Sequence, residues 1–120
     1  MIEIINDLPE NVVGFRARGK VTKEDYEKVL MPAVDAQSKK FKKLNFLLWL
    51  DTDVSNYTFG AWVDDALVGI KHLTHWHKVA IVSPYDVIKK FTNFFGHLVP
   101  GEYKGFKTTD LVEAKKWVAS

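Results

Sequence analysis

Three of the four histidines of this chain lie within six residues of one another, at His72, His75 and His77 in the stretch HLTHWHK. Imidazole is a common metal ligand and a frequent general base, so three rings at this spacing have the chemistry of a zinc site. The alternative is structural, because a histidine near the C-terminal end of a helix complements the helix dipole. The position of the rings in the fold decides between the two.

The histidines fall where a predicted helix gives way to a predicted strand. Apolar residues recur at helical spacing over 59–70, and a buried strand follows at 79–82. His72 then ends the helix and His77 begins the strand, at the N-terminal edge of a parallel sheet. Ligands of open α/β sheets bind at the opposite edge, beyond the carboxyl ends of the strands. We therefore expect no metal, no cofactor and no catalytic residue in this stretch.

Two aspartates, Asp51 and Asp53, follow the apolar run at 44–50 and so lie at the favoured edge. Together with Ser55 they offer the carboxylate and hydroxyl oxygens that Mg²⁺ prefers. Aspartates are also ordinary loop residues that bond their own backbone, and the acidic partners of a phosphotransfer receiver are missing. We favour the loop interpretation.

Lysines are concentrated in the run Lys39-Lys40-Phe41-Lys42-Lys43. Such a run can meet anionic lipid headgroups, each lysine contributing about 1 kcal/mol near the surface. It is also typical of a lysine-rich helix end followed by a solvated turn, which is the interpretation we favour.

The remaining pattern predicts an α/β domain. Strands are predicted at 2–8, 12–21, 44–50, 79–82 and 102–107. Four helices are predicted: the first begins at Thr22, and the others cover 59–72, 84–99 (with Ser83 as the cap) and 110–118. Thr22 and Asp25 form a capping box, and Pro32 should kink the first helix. The order β-β-α-β-α-β-α-β-α predicts a five-stranded, mostly parallel sheet in a three-layer-like arrangement, opened by an antiparallel hairpin.

Composition limits the classes of protein. A chain of 120 residues with 47% hydrophobic content predicts a single domain over 1–120. The net charge of +2 gives no reason to expect nucleic acid, and the absence of cysteine excludes disulfides and thiolate zinc sites. No basic segment precedes an apolar core at the N-terminus, and the longest apolar run is far below the roughly 20 residues of a membrane span. The expected location is the cytoplasm.

The segment 83–99 is the richest in candidate ligand contacts. Its apolar stripe consists of Val87, Ile88, Phe91, Phe94, Phe95 and Leu98. One interpretation is a core-facing stripe. The other is a helix that lifts to expose an apolar cleft, with Ser83 and Tyr85 making polar contacts at its mouth and Lys89 and Lys90 meeting an anionic head.

On these features the chain resembles the SpoIIAA-like family, which is related to the STAS anti-sigma-antagonist domains. The resemblance rests on the opening hairpin, on Tyr26 and Leu30-Met31-Pro32, on Gly60-Ala61-Trp62-Val63-Asp64-Asp65, and on Lys71-His72 running into Trp76-His77-Lys78-Val79-Ala80-Ile81-Val82. It implies a small cytoplasmic α/β domain without assigned enzymatic activity, often a homo-oligomer such as a dimer. It also implies a lipid-carrier-like fold, with an apolar ligand or a membrane surface near a mobile helix.

One departure from the family pattern concerns regulation. Phospho-switched STAS domains carry an Asp-Ser-Ser-Gly-like element at the start of the second helix, where this chain reads Tyr57-Thr58-Phe59-Gly60-Ala61. Ser55 and Thr58 are the candidate switch hydroxyls. The favoured hypothesis is thus a non-catalytic domain that binds an apolar or lipid-like ligand, or a membrane surface, in a cleft under the helix at 84–99. The alternative is a STAS-type regulator that acts through protein contacts.

Overall fold

The computed structural model describes residues 1–19, 22–51, 76–83 and 102–120. Five strands form one mixed sheet in the order β1-β2-β3-β4-β5. They are β1 (Ile2–Ile4), β2 (Val12–Ala17), β3 (Leu44–Leu50), β4 (Trp76–Val82) and β5 (Glu102–Phe106). β1 is antiparallel to β2, and every later neighbour is parallel. This confirms the predicted α/β fold with an antiparallel opening hairpin, whereas the predicted helices at 59–72 and 84–99 lie outside the described residues.

Four strands differ in length from the prediction, and β5 does so by a single residue, since it ends at Phe106. β1 ends at Ile4 rather than at residue 8, although the Ile5 N–H still donates to the Gly14 carbonyl at 2.9 Å. β2 ends at Ala17, two residues before Gly19, whose φ of 60° no extended strand adopts. β4 begins at Trp76, three residues before the predicted start at residue 79. The added residues still pair with β3, where Lys78 lies opposite Asn45.

The first helical segment has three parts: α1 (Lys23–Asp25), a π-helical turn (Tyr26–Leu30) and α2 (Met31–Lys40). The capping box is confirmed, since the Asp25 N–H donates to Thr22 Oγ1 and the Thr22 N–H donates to the Asp25 carboxylate. The hydrogen-bond ladder widens to π spacing just before Pro32, where Met31 donates to the Tyr26 carbonyl. Pro32 then lies in the first turn of α2, where its missing N–H is tolerated.

β3 is covered on both faces, as its near-continuous apolar run predicted. Leu44, Phe46 and Leu50 join the core cluster that includes Leu30 and Val34 of the first helical segment. Leu47 and Trp49 belong to the second cluster, which α3 (Leu111–Ala119) covers after a 3₁₀ turn at Thr108–Asp110. In α3, Ala114 and Val118 are buried and Leu111 and Trp117 pack beside them, so this face of the predicted helix contacts the sheet. Helix, sheet and helix thus form three layers.

Within the described ranges, no helix has both the length and the apolar character needed to cross a bilayer.

Candidate functional site

A polar and aromatic cluster occupies the carboxyl ends of β2 and β3. Arg16 lies opposite Trp49 in the strand register, and its guanidinium carbon is 4.2 Å from the centroid of the Trp49 ring. Asp51 is the first residue after β3, and its N–H donates to the Ala17 carbonyl at 2.9 Å. The edge of the sheet therefore holds the three side chains together. We call Arg16, Trp49 and Asp51 the edge cluster.

The Arg16 guanidinium engages a single oxygen of Asp51. Nε donates to Oδ2 at 2.8 Å, and Nη2 donates to the same atom. The two side chains remain 33% and 38% exposed, so water screens the pair and its net contribution to stability is about 0–1 kcal/mol. Arg16 thus occupies one oxygen of the Asp51 carboxylate. The loop residues after Asp51 lie outside the described residues, with Asp53 and Ser55 among them, so the loop interpretation stays a prediction.

Trp49 brings an unused hydrogen-bond donor to this cluster. Its indole nitrogen Nε1 is buried, and across the described parts of the chain it is the one buried side-chain polar atom without a partner. A buried donor left unpaired costs about 1–3 kcal/mol. A group that accepted a hydrogen bond from Nε1 would recover part of that cost.

Ser83 lies at the same edge, directly after β4. It is fully buried, its N–H donates to the Phe106 carbonyl at 3.0 Å, and it follows the register pair of Trp49 with Val82. The other residues of the predicted ligand wall lie outside the described residues and stay predictions: Tyr85, Ile88, Lys89, Lys90, Phe91, Phe94, Phe95 and Leu98. The same holds for the candidate switch hydroxyls of Ser55 and Thr58.

The histidine stretch is described only at its end. His77 is the second residue of β4, at the predicted N-terminal edge of the sheet, and its Nδ1 lies 2.9 Å from the Asn45 Oδ1. His72 and His75 lie outside the described residues. Elsewhere in the chain as described, no three His, Asp or Glu side chains gather in a way that would hold a metal ion.

The edge cluster was not predicted from the sequence, which pointed to Asp51 but not to Arg16. The sequence did contain one signal, a lone arginine in the otherwise apolar strand VVGFRA. This strand ends at the same edge of the sheet as Asp51. Its pairing with Trp49 depends on the register between β2 and β3, which no local pattern specifies.

Comparison with protein families gives a match to the SpoIIAA-like model over residues 12–119, nearly the whole chain. The chain belongs to the SpoIIAA-like family. Searches of curated proteins and of solved structures gave no significant match. SpoIIAA-like membership favours a non-enzymatic regulatory domain that acts through protein contacts, and it agrees with the mixed five-stranded sheet described above.

Proposed function

We propose that residues 1–120 of this SpoIIAA-like chain form one non-catalytic regulatory domain, which binds a partner protein at the carboxyl edge of its sheet. The observation that carries the proposal is the edge cluster, where a buried indole N–H without a partner lies beside an arginine and an aspartate that are still partly exposed. Tryptophan and arginine dominate the binding energy of protein interfaces, so their contact at this edge supports a recognition role.

The chemistry of the cluster describes the partner surface. An acceptor, such as a backbone carbonyl or a carboxylate, would take the hydrogen bond from Trp49 Nε1. The guanidinium of Arg16 already satisfies Asp51 with Nε and Nη2, which leaves Nη1 for a second contact. The partner surface should therefore present acceptor oxygens beside an apolar group that packs on the Trp49 ring.

The test is affinity capture with matched variants of the full chain. We expect Arg16→Ala and Trp49→Phe to lose a protein that the wild-type chain retains, since each removes one of the contacts described above. Arg18→Ala is the control, because Arg18 is also an exposed arginine in an ion pair, with Glu3 at 3.7 Å, but lies outside the cluster. Equal capture by wild type and both cluster variants would refute the proposal.

A second candidate is an apolar or lipid-like ligand, or a membrane surface, held under the segment 83–99. It is supported by the phenylalanine-rich stripe of that segment and by Ser83, which starts the segment beside Trp49 at the same edge. Purified protein should then bind liposomes or an apolar fluorophore, and Phe95→Asp should weaken that binding without unfolding the domain. Absence of binding to both probes would contradict it.

Two finer proposals accompany the regulatory role. A switch at Ser55 or Thr58 predicts that the double variant Ser55→Glu, Thr58→Glu changes partner affinity, and an unchanged affinity would argue against it. Self-association as a dimer, which the family resemblance implies, is tested by native mass spectrometry of the purified protein. The same measurement reports the mass of any retained apolar ligand.

A further inference from the structure

A concave surface lies at the N-terminal edge of the sheet, opposite the edge cluster. Its volume is about 390 Å³, and it opens between the start of β3, the start of β4 and the end of α3. We call it the N-terminal depression. It is lined by Asn11, Phe41, Lys42, Lys43, Asn45, His77, Ala119 and Ser120.

The charge of this depression is positive. Lys42 and Lys43 are exposed, and neither forms an ion pair within the described ranges. None of the lining residues is acidic. Two ammonium groups therefore stand beside a cavity whose described lining carries no acidic side chain.

The C-terminal carbonyls of α3 would otherwise repel an anion at this place, since a helix ends in partial negative charge. The buried ammonium group of Lys78 offsets this partial negative charge. Lys78 is 9% exposed, and its Nζ donates to the Trp117 carbonyl at 3.3 Å and to the Ser120 carbonyl at 3.0 Å. The cation thus compensates the helix end and leaves the lysines at the rim available for an external anion.

Asn45 adds a buried polar group to the floor of the depression. Its side chain is only 4% exposed, and its Oδ1 lies 2.9 Å from the Nδ1 of His77. An amide oxygen only accepts, so this contact assigns the hydrogen of His77 to Nδ1 and leaves Nε2 for another partner. The amide nitrogen Nδ2 of Asn45 makes no hydrogen bond within the part of the chain that the structure describes. This nitrogen is therefore a donor that the lining can offer to a ligand.

We propose that the N-terminal depression binds a phosphate monoester group. Two ammonium groups match the charge of the phosphate dianion, because lysine binds phosphate as a point charge. The Asn45 amide adds a neutral donor, and the Phe41 ring offers an apolar flank for the organic part of the ligand. This site is separate from the edge cluster and does not depend on the regulatory role proposed for it.

The first test uses inorganic phosphate and the full chain. Titration with phosphate against chloride, at constant ionic strength, should give saturable NMR shifts at Asn45 and His77. The double variant Lys42→Gln, Lys43→Gln should weaken the affinity by about tenfold or more. The control Lys23→Gln, Lys28→Gln removes the same charge from exposed lysines at the start of the first helical segment and should leave the affinity unchanged.

The second test identifies the source of the phosphate. Glycerol phosphate is compared with vesicles of phosphatidic acid in phosphatidylcholine, and vesicles of phosphatidylserine with equal charge serve as the reference. Stronger binding to glycerol phosphate supports a free metabolite, and stronger binding to phosphatidic acid than to phosphatidylserine supports a lipid headgroup. Shifts that do not saturate with phosphate, or an equal loss of affinity in the two lysine double variants, would overturn the proposal.

Discussion

Arg16 and Asp51 join two neighbouring strands at the carboxyl edge of the sheet, with Arg16 Nε 2.8 Å from the Asp51 Oδ2. Asp51 is also held through its backbone, which donates to Ala17. The arginine is in turn stacked on Trp49, so its position is fixed from two sides. A pre-organised arginine loses less entropy on binding, so in the interface proposed above the pair should matter more for recognition than for stability.

A double-mutant cycle measures how much the pair contributes to stability. We expect Arg16→Gln and Asp51→Asn to show a coupling energy of about 0.5–1 kcal/mol in urea denaturation, because both side chains remain partly solvated. The Arg18 and Glu3 pair, at 3.7 Å and more exposed, provides the control cycle and should show coupling near zero. Equal coupling in both cycles would mean that the stacked geometry of Arg16 adds nothing.

Lys78 is expected to contribute more to stability than any exposed lysine. Replacement by Met keeps the apolar stem but removes the donor from the Trp117 and Ser120 carbonyls, which should lower the free energy of unfolding by about 1–3 kcal/mol. Lys116→Met, on the exposed side of α3, should change it by no more than about 0.5 kcal/mol. Urea denaturation measures both, and a Lys78 variant as stable as the control would contradict this account.

The capping box at the start of α1 should make stability depend on pH in the acid range. Burial opposes ionisation of Asp25, but hydrogen bonds from Thr22 and the nearby Met1 amino group outweigh it and hold the pKa of Asp25 below its ordinary value. Because the folded pKa is the lower one, the stabilisation is present above the unfolded pKa and is lost as pH falls through the folded pKa. Thermal unfolding should therefore show an advantage of wild type over Asp25→Ala at neutral pH that disappears in acid.

The control for this experiment is Glu27→Ala, which removes a carboxylate from the same helical segment without touching the cap. Its exposed contact with Lys23 is 3.7 Å long and should be worth little. If Asp25→Ala and Glu27→Ala lost the same stability at every pH, the capping bonds would have no special role.

Local sequence patterns were enough to predict individual strands, helices and caps, but they did not predict the contacts between them. The apolar run of β3, the helix predicted at 110–118 and the pairing of Thr22 with Asp25 each lie within one stretch of sequence, and the structure confirms them. The Arg16 and Asp51 pair spans 35 residues, and the Asn45 and His77 contact spans 32. Such contacts depend on strand register and order, which are set by the packing of the whole sheet.

The same distinction holds within the first helical segment. Pro32 lacks the N–H that a helix interior needs, and the kink expected from it stays a prediction. What the structure shows beside the proline is a π-helical turn over Tyr26–Leu30, which no pattern in the sequence had indicated.

Tyr26, in that π-helical turn, should titrate far above an ordinary tyrosine. Partial burial raises the pKa of Tyr26 to about 12, and the negative charges of Asp35 and Glu27 add to the effect. Because an unfolded tyrosine ionises near pH 10, the unfolded state loses a proton between about pH 10 and 12 while the native state retains it. The stabilisation is full below the unfolded pKa and is lost as pH rises through the folded one.

Absorbance at the tyrosinate band during an alkaline titration tests this directly. One phase should lie near pH 12 in the wild type and vanish in Tyr26→Phe, and Asp35→Asn should move it to lower pH by removing a repelling charge. Tyr26→Phe should also abolish the part of the alkaline loss of stability that belongs to this group. A phase near pH 12 that survived in Tyr26→Phe would assign the raised pKa to another tyrosine. The burial of Tyr26 against the core cluster would then not control the ionisation of Tyr26.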